Sequence, residues 1–202
     1  MKGFLKRDLY LMLPNLRVYG FFLLLIVCVS LFVEVHTGDF FWFYLTIFSA
    51  ASILGLFSYD EANHWQAYAA AAPDGRRQQV NGRYAAAFLV GGAQMVLMSF
   101  FLLFSRAGNI SEAFLCSGLF FLYADIALPV SYRFGNNSRV VMIVLVAAIA
   151  GLVGAGSAVL GIVSGAGGGI PFGLEYVLPA VGLAAFPLSR HISVGILERK
   201  AL

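Results

Sequence analysis

The chain has 202 residues, of which 60% are hydrophobic and only 11% charged, and its mean hydropathy is +0.86. A soluble domain of this length cannot bury so much apolar surface, which leaves an integral membrane protein and little length for any soluble domain. The net charge of +3 does not point to nucleic acid, because no basic helix or aromatic-interleaved patch accompanies it.

Residues 1–13 place Phe4, Leu5, Leu9, Met12 and Leu13 at helical spacing, with Lys2, Lys6, Arg7 and Asp8 on the other face. That pattern predicts an interfacial elbow helix, its basic face toward anionic lipid, turning at Pro14 into the first span. The alternative is that these residues only extend the first span. Six apolar stretches follow, at 16–35, 40–59, 84–104, 113–130, 140–163 and 172–188. Each comes near the ~17–25 residues that cross a hydrocarbon layer of ~30 Å. With the N-terminus inside, Arg106 is the one cation outside among the 13 Lys and Arg residues. Positive charge is retained in the cytoplasm, so both ends are expected there. The first apolar run leads into Glu34, Val35 and His36 rather than a small-x-small cleavage site, so it is expected to stay in the mature protein.

Span two opens with Phe40, Phe41, Trp42, Phe43 and Tyr44, the composition of an aromatic belt at the outer interface. The outer connections are short, and the third is the glycine-rich SGAGGGIP, so no extracellular capture domain is expected. On the cytoplasmic side, 133–139 (RFGNNSR) predicts a tight turn on Gly135 and Asn136. Span five carries Ala147, Gly151, Gly154, Ala158 and Gly161, a stripe of small residues suited to close helix packing or to a subunit contact. Asp125 is the acid most deeply placed in a span. Burying its ionised form costs about 2.5–3.5 kcal/mol, so it reads either as a pathway or proton-binding group, or as a structural carboxyl, hydrated or bonded to a nearby Tyr or Ser.

No Walker A loop, HExxH or GxSxG occurs, and His36, His64 and His191 fall in separate loops or helix ends. Cys28 and Cys116 each lie within a span, outside any metal-ligand spacing. No active site, metal or cofactor is legible, so an enzyme is not expected.

The informative segment is 60–83, the long cytoplasmic connection. Asp60 and Glu61 are placed to favour the start of a short helix, His64, Trp65 and Tyr68 give it aromatic surface, and Pro73 ends it. Arg76, Arg77 and Arg83 then read as headgroup anchors for span three. Such a helix either floats at the membrane surface or docks in the groove of a soluble partner.

Tyr59-Asp60-Glu61, Asn63, Trp65, Tyr68, Pro73, Arg76, Val80 and Arg83-Tyr84 resemble the YDE-x-N-x-W-xx-Y and LP-xx-R-xxx-V-xx-KY pattern of small type-2 ABC-transporter permeases. The opening MKGFLKRDLYLM is similar to that family's start. Leu128-Pro129 with Phe134-Gly135 and Arg139 looks like its P-xxxx-FG-xxxx-R turn, and Leu188-Ser189 with Ile192-Ser193 looks like its terminal LS-xx-IS segment. Ala72, Asp74-Gly75 and Arg83 stand where the family has Leu, Val-Ser and Lys.

The resemblance implies one all-α transmembrane permease domain over 1–202, with six spans, an elbow helix over 1–13 and a cytoplasmic coupling helix over 60–72. It implies a dimer of permeases, with a second copy or a sister chain, each coupled to a separate ATP-binding subunit that carries the ATP. Asp60, Glu61, Asn63, His64, Trp65, Tyr68, Pro73 and Arg76 would form the coupling contact, with His64, Trp65 and Tyr68 foremost. The expected function is that of an ABC exporter's permease in a prokaryotic cytoplasmic membrane. A proton-coupled carrier using Asp125 and a non-transporting immunity or regulatory membrane protein are the alternatives.

Overall fold

The computed structural model describes residues 2–32, 37–71, 74–105, 110–135 and 174–199, with Ile143 and Ala147 as isolated helical positions. Every element among them is helical: α1 Lys2–Phe32, α2 Thr37–Ala62, α3 Trp65–Ala71, α4 Gly75–Ser105, α5 Ile110–Phe134 and α6 Leu174–Arg199. Three stretches among these residues are long and apolar enough to cross a membrane: Gly75–Phe100, Ala113–Phe134 and Tyr176–Arg199. The expected fifth span at 140–163, its small-residue stripe apart from Ala147, the glycine-rich loop and Pro73 lie outside the described residues.

Three expectations need correction. The elbow is not a separate helix, since α1 runs unbroken for 31 residues with Pro14 inside it. Its polar residues explain why: Asp8 is buried, and Arg7 is half-buried, against the other helices instead of lying among headgroups. At 1.5 Å per residue α1 is ~46 Å long, more than a ~30 Å hydrocarbon layer needs. The 60–83 loop is almost wholly helical. Asp60–Ala62 finish α2, a turn follows at Asn63 and His64, α3 is seven residues long, and α4 starts at Gly75, nine residues before the expected span. Finally, α6 continues past Leu188 to Arg199 because Ser189, Ser193 and Leu197 keep an inward stripe at helical spacing.

Local chemistry sets the breaks. His64 adopts a left-handed conformation (φ 49°) between α2 and α3, and Asp74 does the same (φ 53°) before α4. The Asn63 side-chain Nδ2 donates to the Tyr59 carbonyl at 2.8 Å, which closes the end of α2. The Asp74 carbonyl accepts from the Gln78 amide at 2.9 Å, which opens α4. Gly135 (φ 66°) follows α5 directly, where the sequence places its turn.

The main core joins Met12 of α1, Ile53, Leu56 and Phe57 of α2, Val80, Tyr84 and Ala87 of α4, Phe120, Phe121, Leu128 and Tyr132 of α5, and Leu197 of α6. The α5–α6 contact is the most extensive among the described helices. It depends on two glycines. A Cβ at Gly118 would stand 2.5 Å from the Pro179 nitrogen, and one at Gly182 would stand 2.9 Å from the Phe121 Cβ. Close backbone approach of this kind replaces the hydrophobic drive that lipid does not supply between helices.

Candidate coupling site

Two adjacent residues of α4 organise the end of the bundle where α1 begins and α2 ends. Arg83 is 1% exposed, so the headgroup anchor expected at this position is corrected to a buried cation. Its Nη2 donates to Asp60 Oδ2, and Gln79 Nε2 donates to the same oxygen at 2.8 Å. Asp60 Oδ1 accepts from Arg7 Nη2 of α1. Asp8 faces the same group at looser range, 3.5 Å from Arg7 and 3.9 Å from Arg83. A buried guanidinium requires such company, because its desolvation costs several kcal/mol, or roughly that, before any pairing. Burial pushes the Asp8 carboxyl up to about 6 from an ordinary 3.8, against the pull of Arg83 and Arg7 and with added push from Asp60.

Aromatic faces complete this ionic cluster. The Arg83 guanidinium lies 3.8 Å from the centroid of Phe57, and that of Arg7 lies 3.9 Å from the centroid of Trp65. Trp65 also meets Phe4 of α1 edge-on at 6.1 Å and stacks with Tyr68 at 6.1 Å. α3 is therefore held on α1 by Trp65, while Tyr68 stands 70% exposed beside it.

Tyr84, next in sequence, points about 100° around α4 from Arg83 and enters a second group, made only of neutral hydroxyls. The Tyr84 hydroxyl lies 2.6 Å from Ser189 Oγ and 2.8 Å from Ser193 Oγ, both on α6. Ser189 Oγ donates to the Asp125 main-chain carbonyl of α5 at 2.6 Å. Each hydroxyl has one proton, so the order is fixed. Ser189 gives its proton to α5, Tyr84 must give its own to Ser189, and Ser193 must give its own to Tyr84. At the surface, Arg190 Nε of α6 donates to Asn81 Oδ1 of α4 at 2.7 Å, a further tie between the same helices.

Asp125 itself is buried within the Ala113–Phe134 stretch. The bond to a Tyr or Ser hydroxyl that one reading expected of its side chain is absent among the described residues, where neither carboxyl oxygen has a hydrogen-bond partner. Among the same residues, no three His, Cys, Asp or Glu side chains gather as metal ligands would.

The profile of a family described as ABC-2 family transporter protein matches residues 3–198, nearly the whole chain. The chain belongs to the ABC-2 transporter family. No curated protein and no solved structure matches it. As an ABC-2 transporter component it is a transmembrane protein, and the helices apolar enough to span agree with that.

The residues expected to form the coupling contact separate into two groups. Glu61, Asn63, His64 and Tyr68 are exposed around the α2–α3 turn, and Arg76 is half-buried at the start of α4. Asp60 is 1% exposed and engaged by two arginines, so it is an internal strut and not a surface contact. Trp65 is half-buried and serves chiefly as the anchor between α3 and α1. Sequence reasoning left Arg7, Asp8, Gln79, Arg83, Tyr84, Ser189 and Ser193 without a joint role. The available signal was that most of them fall inside the same family-like motifs as the residues it did single out.

Proposed function

We propose that this chain is the membrane-spanning permease subunit of an ATP-driven ABC exporter, coupled to a separate ATP-binding subunit through α3 and the α2–α3 turn. The observation that carries the reading is the pairing of a clamped and an exposed aromatic on α3. Trp65 is clamped to α1 by Phe4 and Arg7, and Tyr68 projects 70% exposed from the same short helix. A small rigid projection bearing an aromatic anchor suits docking into a groove, because aromatic residues dominate the affinity of small interfaces. Its rigidity suits it to passing on the motion of a partner. Under this reading the chain has six spans, with both termini cytoplasmic in a prokaryotic cytoplasmic membrane, and works as a dimer with a copy of itself or a sister permease. ATP is hydrolysed on the partner chains.

Affinity purification of the intact complex tests the proposal. An ATP-binding subunit is expected to co-elute, and Tyr68→Ala is expected to lower its retention about tenfold or more, the loss of one aromatic hot spot. Absence of such a subunit from the wild-type complex would sink the exporter reading. The buried carboxyl of Asp125, without a hydrogen-bond partner among the described residues, favours one second reading, a proton-driven carrier. That reading requires transport in vesicles containing this chain alone, and its loss in Asp125→Asn.

A further inference from the structure

The two polar groups share no side chain, yet they meet at one peptide bond, between Arg83 and Tyr84. Arg83 reaches α1 and the end of α2, from which α3 hangs. Tyr84 reaches α6 directly, and α5 through Ser189. Between them these residues link to every long helix among those described, α5 by way of Ser189. Arg83 and Tyr84 are consecutive residues of one continuous hydrogen-bonded helix, so a shift imposed on Arg83 displaces Tyr84 with it. The aromatic packing around Tyr84 reinforces the link, with Phe186 of α6 edge-on at 5.0 Å and Phe121 of α5 edge-on to Phe186 at 6.1 Å.

We propose that Arg83 and Tyr84 form a transmission node that converts displacement of α3 by a soluble partner into displacement of the α5–α6 pair. The assignment rests on the exporter reading above and adds to it the internal route of the motion. Arg83 and Tyr84 are positioning residues; neither contacts nucleotide or cargo. The hydroxyl chain is the part of the node most open to test, because its atoms can be removed without stranding a buried charge. Tyr84→Phe deletes the central hydroxyl and keeps the ring on Phe186. Ser193→Ala deletes the first donor only. Tyr132→Phe serves as the control, since the Tyr132 hydroxyl is buried beside the same region without a hydrogen-bond partner among the described residues.

The experiment uses the full chain in complex with its ATP-binding subunit, in lipid nanodiscs. Spin labels are placed at exposed Ala71 on α3 and exposed Tyr176 at the far end of α6, with Cys28 and Cys116 replaced by Ser. ADP and vanadate, trapped on the ATP-binding subunit, are expected to shift the label distance in the wild type and in Tyr132→Phe. In Tyr84→Phe the shifted population is expected to fall about 5- to 150-fold relative to the unshifted one, the range of ordinary allosteric coupling, while ATP hydrolysis stays within about twofold. Ser193→Ala is expected to give a smaller loss in the same direction, and it carries the test if Tyr84→Phe does not fold. A merely structural role would lower the yield of folded complex without separating hydrolysis from the distance change. If Tyr84→Phe and Ser193→Ala both shift as the wild type does, the node is overturned and the exporter reading stands. A wild type that retains no ATP-binding subunit overturns both.

Discussion

The ionic group around Arg83 and the hydroxyl chain around Tyr84 lie side by side on α4 and hold the bundle in different ways. The first sets two arginines against two aspartates, with aromatic faces over both guanidinium groups. The second is a line of neutral donors whose direction is fixed by proton count. A charged cluster is costly to damage, since removing one member leaves its partners buried and uncompensated. A neutral chain loses one or two hydrogen bonds per deletion, each worth ~0.6 kcal/mol on average in a membrane bundle. The α1–α2–α4 junction is thus built to stay closed, whereas α4 and α6 are joined by bonds weak enough to re-form in another register.

The largest expected break in this contrast comes from Asp60→Ala, which leaves Arg7 and Arg83 with Asp8 as their shared acid, at 3.5 and 3.9 Å. It should cost about 3–5 kcal/mol, read as a fall in the thermal midpoint of the purified chain in detergent. Its exposed neighbour sharpens the point, because Glu61→Ala should stay within about 0.5 kcal/mol of the wild type. Equal effects of the two substitutions would show that Asp60 is not the strut described. Tyr84→Phe ranks second, at about 1–2 kcal/mol, because it leaves Ser193 without its acceptor.

Third in size is a pH effect confined to the ionic group. Asp8 holds its proton more tightly in the folded chain, up to about 6, than in the unfolded chain, at 3.8. Its protonation therefore favours docking of α1 fully below 3.8, and that contribution is lost as pH rises through about 6. Trp65 fluorescence in a Trp42→Phe background reports the docking. It should change between about pH 5 and pH 7.5 in the parent and flatten in Asp8→Asn, where no proton is exchanged. The smallest effect is expected of Tyr132→Phe, within about 0.5 kcal/mol of zero or slightly stabilising, because a buried hydroxyl without a partner among the described residues contributes no bond to lose.

Much of this architecture was legible in the sequence, and the failures share one cause. The all-helical class followed from apolar length, the turn at Gly135 followed from its residue type, and the motifs shared with ABC-2 permeases pointed to the family. Charges were harder. Arg7 and Arg83 were read against the rule that cations lie at the cytoplasmic surface, Asp8 as part of an interfacial polar face and Asp60 as a helix start, each by itself. In the folded chain they come from three helices and neutralise one another, a relation that no local window contains. Ser189 and Ser193 are one helical turn apart, which placed them on one face, but the face became meaningful only once Tyr84 was found against it. The elbow was expected from an amphipathic pattern whose polar side turned out to face protein as well as water.

The contact at Gly118 and Gly182 bears on where cargo can travel. Two backbones touching across bare hydrogens leave no crevice, and prying them apart would forfeit dispersion contacts that nothing in the lipid replaces. Helices α5 and α6 therefore behave as a single welded plate, and any route for a solute must skirt that plate instead of splitting it.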